Sequence, residues 1–282
     1  MHRRSTLPLC ALAAVSFLLA PIAAAGQPAD ESWTVPRTAD GRPDLQGVWA
    51  NNAATPLERP AQLADRAAFT DEEVASLAAA AERLFGSGND AGFADGVFNA
   101  ALAAETEHES VCVGTGNYGS VWMVDRDFDN RTSLITRPSS GRLPALTPAA
   151  AERQAAARAA RRQRTYDGPE DLPLQSRCIT FGMPRVGGLG AGYNETTNFD
   201  PRHSYRGATD NLHLVERLTR VGPEAMHYEI TVTDPTTWQS PWTALVILRK
   251  SEDAVYEYAC HEGNYGMEGI LAGARAAEVN EQ

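Results

Sequence analysis

Lysine is almost missing from this chain of 282 residues: of 25 basic side chains, Lys250 is the only one that is not arginine. Basic charge as a whole is short, since 36 acidic residues leave a formal net charge of −11. That balance argues against a general binder of nucleic acid or of an anionic membrane. The lysine deficit itself reads as a genomic bias. Four cysteines are too few for a small disulfide-knot scaffold, and after residue 25 no apolar run is long enough to span a bilayer. What the chain does have is 23 glycines and 17 prolines. That turn load suits short strands and loops better than a helix bundle.

Residues 1–25 read as a processing signal. Arg3 and Arg4 form a basic start, Leu7 to Ile22 is apolar, and Ala23-Ala24-Ala25 offers a cleavage site before Gly26. The expected address is secreted or periplasmic, which puts the cysteines in an oxidising compartment. Without Cys10, the remaining Cys112, Cys178 and Cys260 are odd in number, so one bridge and one leftover thiol are expected. Cys178 and Cys260 lie beside strand-like segments and Cys112 lies in a Gly-rich loop, which favours a Cys178–Cys260 bridge. Closing a loop of that length is worth roughly 4 kcal/mol in the chain-entropy picture. A nucleophilic Cys260 beside His261 is the alternative, but neighbours on a strand point to opposite faces.

Along the mature chain, residues 26–110 read as an irregular and helical region, and 111–282 as a β-rich region with a helix inserted at about 148–164. The first part holds one short apolar element at Leu45–Trp49. Thr70-Asp71-Glu72-Glu73 is a capping box that opens a helix through Val74, Leu77 and Leu84. A shorter helical piece is expected at Val97–Thr106. Thr147-Pro148 starts another, Ala149–Arg164, whose five arginines read as a solvated face. Further on, Met226, Tyr228, Ile230 and Val232 alternate with polar residues, as do Leu212, Leu214 and Leu218 before them. Both are half-buried strands, joined by a turn at Gly222-Pro223-Glu224. Trp242–Arg249 is apolar on both faces and reads as a central strand. Lys250-Ser251-Glu252-Asp253 reads as a turn, with a last strand at Val255–Cys260. The expected fold is mainly β, an antiparallel meander or partial barrel, with helices in the N-terminal half.

Several blocks resemble a large family of secreted bacterial proteins of unsettled function. They are Thr38-Ala39-Asp40-Gly41-Arg42-Pro43-Asp44-Leu45-Gln46-Gly47-Val48-Trp49, Arg131–Ile135 with Gly141-Arg142-Leu143-Pro144, and Arg177-Cys178-Ile179. Asp234-Pro235-Thr236-Thr237-Trp238 with Pro241-Trp242-Thr243, and Tyr256-Glu257-Tyr258-Ala259-Cys260-His261-Glu262-Gly263-Asn264-Tyr265-Gly266, complete the set. The resemblance implies a secreted, largely β protein of lipocalin or calycin flavour, and Gly47-Val48-Trp49 also fits the Gly-x-Trp entry of lipocalins. It carries over no catalytic residues. Relatives place roughly fifty residues between the counterparts of Asn194 and Glu195, which abut here, so this chain reads as a shortened member.

Two constellations are candidates for chemistry. His261-Glu262 with Tyr265 joins an acid/base side chain to a hydroxyl donor, if a turn at Gly263 and Gly266 brings them together. Glu216 falls on the Leu212/Leu214/Leu218 face, where a carboxylate needs a partner such as Arg131 or Arg217 (although Arg217 faces the other way on a regular strand), a bulge that turns it outward, or a raised pKa. Trp238, Trp242, Tyr256 and Tyr258 are the aromatic candidates for ligand contact, with anchoring of the strand connection as the other role for the tryptophans. Asp125, Asp127 and Asp129 lack the EF-hand glycine and glutamate, no His/Cys cluster has zinc spacing, and no cofactor is expected. The leading function is a secreted protein that binds a small apolar molecule or a protein partner on its sheet, with an open sheet edge as a homodimer contact. The alternatives are a hydrolase, lyase or isomerase using His261 and Glu216 as acid and base, and a shortened inactive paralogue.

Overall fold

The computed structural model describes residues 33–85, 95–106, 126–162, 166–172, 177–178, 205–254, 261–262 and 264–280. The signal-like segment, Cys112, the Asn194–Glu195 junction and the strand expected at Val255–Cys260 lie outside them.

The alternating segments form three long strands, β3 (His213–Arg220), β4 (Ala225–Thr233) and β5 (Trp242–Ser251). Two shorter ones, β1 (Val48–Ala50) and β2 (Ile135–Arg137), both pair with β5. All pairings are antiparallel, the order is β1-β5-β4-β3, and the sheet curls into a half-barrel. Between β3 and β4 the turn at Gly222 closes as expected, Val221 N–H donating to Ala225 O at 3.0 Å. β5 is the central strand anticipated from its two apolar faces.

Burial alternates along β4, with Met226, Tyr228, Ile230 and Val232 facing inward. The same face of β5 contributes Trp242, Ala244 and Val246, all fully buried. Leu57, Leu134, Ala208, Leu212 and Trp238 cover one half of this face and complete the main core. Each large apolar side chain so enclosed contributes about 1.5–3 kcal/mol. A second, smaller core joins helices α1 (Asp71–Phe85) and α2 (Asp95–Thr106) through Leu77, Ala80, Phe98 and Ala101. Phe128 enters it from the segment before β2, stacked on Phe98 at 6.4 Å.

The helix starts follow the capping signals. Thr70 Oγ1 accepts from Glu73 N–H at 3.3 Å while Glu73 accepts from Thr70 N–H at 2.8 Å. The Glu73 carboxyl also takes a hydrogen bond from Arg66, and the two donors hold its pKa at about 2. Helix α3 (Pro148–Arg162) opens on Thr147, whose hydroxyl accepts from Ala150 N–H at 3.2 Å.

Asp234 organises the connection from β4 to β5. It is 2% exposed and accepts from Thr209 N–H (2.7 Å), Thr236 N–H (2.9 Å) and the hydroxyls of Thr209, Thr236 and Thr237. Burial pushes its pKa upward, but the donors outweigh burial and leave it below the usual carboxylate value. The same loop receives α3, since Thr147 and Arg153 both donate to Thr236 O.

The short apolar element of the N-terminal region supplies β1. Three expectations need correction. β5 does not stop at Arg249: Val48 pairs with Ser251 and Trp49 with Lys250, so β1 draws the two expected turn residues into the strand. Helices are not confined to the N-terminal half, since α3 and α4 (Tyr265–Asn280) lie beyond it. Tyr265 opens that helix where a loop was expected, preceded by Asn264, a residue suited to an N-cap.

Candidate functional site on the concave face

The even-numbered residues of β3, β4 and β5 share the concave face, and it divides into two halves. Toward Leu214, Ile230 and Trp242 it is sealed by the main core. Toward the other end half-buried Glu216, Leu218, Leu248, Lys250 and Trp49 lie around the buried Met226. Glu216 stands directly opposite Ile230, and Tyr228 opposite Leu218. One diagonal step therefore separates Glu216 from Tyr228, within reach of an aromatic side chain. The Tyr228 hydroxyl donates to Glu216 Oε1. Burial, then the Glu216 carboxylate, pushes the Tyr228 pKa well above its ordinary value, so the phenol keeps its proton at neutral pH.

Arg220 closes the end of this face. It stacks over the rings of Trp49 (5.3 Å) and Trp33 (5.6 Å), and it donates to Asp44 O at 3.2 Å and Pro223 O at 3.1 Å. Its buried Nε has no hydrogen-bond partner among the described residues. Chemically, the face offers apolar walls, one carboxylate oxygen pair, and one phenol already turned toward it.

Neither arginine expected beside Glu216 is there. Arg217 points to the convex face and pairs with Glu229 at 2.6 Å, as strand alternation requires. Arg131 is held by Asp129 (2.5 Å) and Leu245 O (2.7 Å). Glu216 has not bulged outward either. His261 and Glu262 lie in an exposed turn, Tyr265 is 78% exposed, and none of the three bonds to Glu216 among the described residues. Trp238 and Trp242 meet edge to face at 5.9 Å, 3% and 0% exposed. The two rings are buried at the strand connection, the anchoring role open to them from the sequence. Tyr256, Tyr258 and Cys260 lie outside the described residues. Cys178 is disulfide-bonded, and Asn264 Nδ2 lies 3.2 Å from its sulfur.

His213 and His227 both sit on the convex face. His227 is half-buried, and burial, with the nearby Arg131 charge, lowers its pKa. Among the described residues no group of three or more His, Cys, Asp or Glu side chains is placed to hold a metal ion. Asp127 and Asp129 are turned toward Arg249 and Arg131, and Asp125 is outside the described residues.

Tyr228, Trp49, Arg220 and Lys250 were missed as site residues. The signal for Tyr228 was present: a hairpin centred on Gly222-Pro223-Glu224 sets Leu218 opposite Tyr228, and so Glu216 diagonal to it. Trp49 and Arg220 carried no such signal, because their contact crosses the whole sheet.

Comparison of the chain with family models, with curated proteins and with solved structures returns no match.

Proposed function

We propose that this chain is an exported protein that holds a small apolar molecule on the concave face of its curled sheet. The observation that carries the reading is the half-open end of that face. There Leu218, Leu248 and Trp49 share the face with the Glu216–Tyr228 pair, apolar walls with a few polar groups. Export rests on the basic-then-apolar start of the sequence and its Ala-x-Ala site, and the disulfide at Cys178 agrees with an oxidising compartment. The blocks around Trp49, Asp234 and Cys178 support membership of the secreted family they resemble.

Native mass spectrometry of protein purified after export, set beside the denatured mass, tests the reading. A small mass retained in the folded protein and lost on denaturation is the expected result, and the same spectrum reads cleavage after Ala25 and any homodimer. A bare folded mass, together with unchanged tryptophan emission on titration with apolar probes, overturns it.

A further inference from the structure

Among the described residues the cationic side chains on the concave face already have partners, and the Glu216 carboxylate on edge strand β3 is bonded to none of them. Arg220 lies four residues along β3 from Glu216 on the same face, and its guanidinium is held between Trp33 and Trp49 and by two main-chain carbonyls. Lys250 pairs with Glu252 at 3.1 Å. Arg217 pairs with Glu229 on the opposite face. The one hydrogen bond to the Glu216 side chain among the described residues comes from the neutral hydroxyl of Tyr228.

A carboxylate half-removed from water among Leu214, Leu218 and Ile230 is left with lone pairs that accept and cannot donate. A ligand carboxylate brought there meets like charge. A ligand hydroxyl can donate one hydrogen bond. A protonated amine supplies both the missing charge and up to three donors, and charge-assisted bonds are the stronger kind. We propose that the apolar molecule bound on this face carries a protonated amine, and that Glu216, oriented by Tyr228, is the residue that selects it. This deepens the apolar-ligand reading and rests on it.

The test compares three probes with the same chain, dodecylamine, dodecanol and dodecanoate, each below its aggregation threshold. Calorimetry and tryptophan emission of the full exported protein at neutral pH are the readouts. Dodecylamine is expected to bind at least tenfold more tightly than either of the others. Glu216→Gln, which keeps the shape and still accepts from Tyr228, is expected to bring the amine to within about threefold of the alcohol. Tyr228→Phe keeps the carboxylate and is expected to retain the amine preference. A preference for dodecanol or dodecanoate in the native protein overturns the assignment of the amine while leaving the apolar-ligand reading intact, whether or not either variant folds. An amine preference that survives Glu216→Gln overturns the role of Glu216. Failure of all three probes to bind overturns the apolar-ligand reading itself.

Discussion

Arg220, the last residue of β3, stacks 5.3 Å from the ring centre of Trp49 in β1, although β5 and β4 lie between those two strands. The sheet therefore curls until its edge strands touch at this end. Arg220→Ala is expected to cost about 1–3 kcal/mol, the range for one desolvated cation–π contact with two hydrogen bonds to carbonyls. Arg220→Lys should rescue little of it, because an ammonium cannot lie flat between two indole rings. Urea unfolding followed by tryptophan emission measures both. Wild-type stability in the alanine variant would mean that the curl does not depend on this contact.

Asp234 makes stability depend on acid. Its folded pKa lies below the unfolded value, so its contribution is complete above about pH 5 and fades as pH falls through the lower, folded pKa. Asp234→Ala leaves the buried Thr237 hydroxyl and two main-chain N–H groups without this acceptor, and a loss of about 2–4 kcal/mol is expected at neutral pH. Asp234→Asn should lose less at neutral pH and should flatten the acid limb. Thermal melts between pH 3 and pH 7 on the three proteins decide it.

Gly141 has φ of +67°, and a methyl group there would lie 2.4 Å from Ser133 Oγ and 3.0 Å from Arg59 Cζ. Arg59 is itself buried, donating to Thr132 Oγ1 at 2.8 Å. Gly141→Ala therefore combines an unfavourable backbone with a clash against a fixed side chain. A drop of about 2 kcal/mol or more is expected in chemical denaturation. A change below 0.5 kcal/mol, roughly the scatter of surface substitutions, would show that Arg59 gives way freely.

The partner of Cys178 is expected to be Cys260. Asn264, four residues after Cys260, reaches to within 3.2 Å of the Cys178 sulfur, which brings the two family-like blocks together. Peptide mapping of the unreduced, exported protein should recover a linked pair from these blocks and leave Cys112 alkylatable. A Cys112–Cys178 peptide would exclude this pairing.

The local devices were legible along the chain. Thr70 with Glu73, Thr147 before Pro148, and the alternation from Met226 to Val232 each act over a few residues, so hydrogen-bond stereochemistry and the two-residue strand period dictate them directly. The same period put Glu216 on the inner face. Its partner was legible only in part: Arg131 and Arg217 had the right charge, but strand alternation turns Arg217 away and Asp129 claims Arg131. Helix α4 has no clear start signal in the sequence, because Gly263, Asn264 and Gly266 are turn-forming residues at its N-terminal end.

By itself, then, the sequence determined the strand faces, the helix starts and the acidic charge balance, because these depend on near neighbours and on composition. The tertiary structure alone decided that β1 joins β5, that Trp238 and Trp242 are buried, and that Arg220 meets Trp33 and Trp49 at the end of the sheet. Those contacts join residues up to 187 positions apart, and which of them form depends on curl and register accumulated over several strands. No local pattern carries that sum.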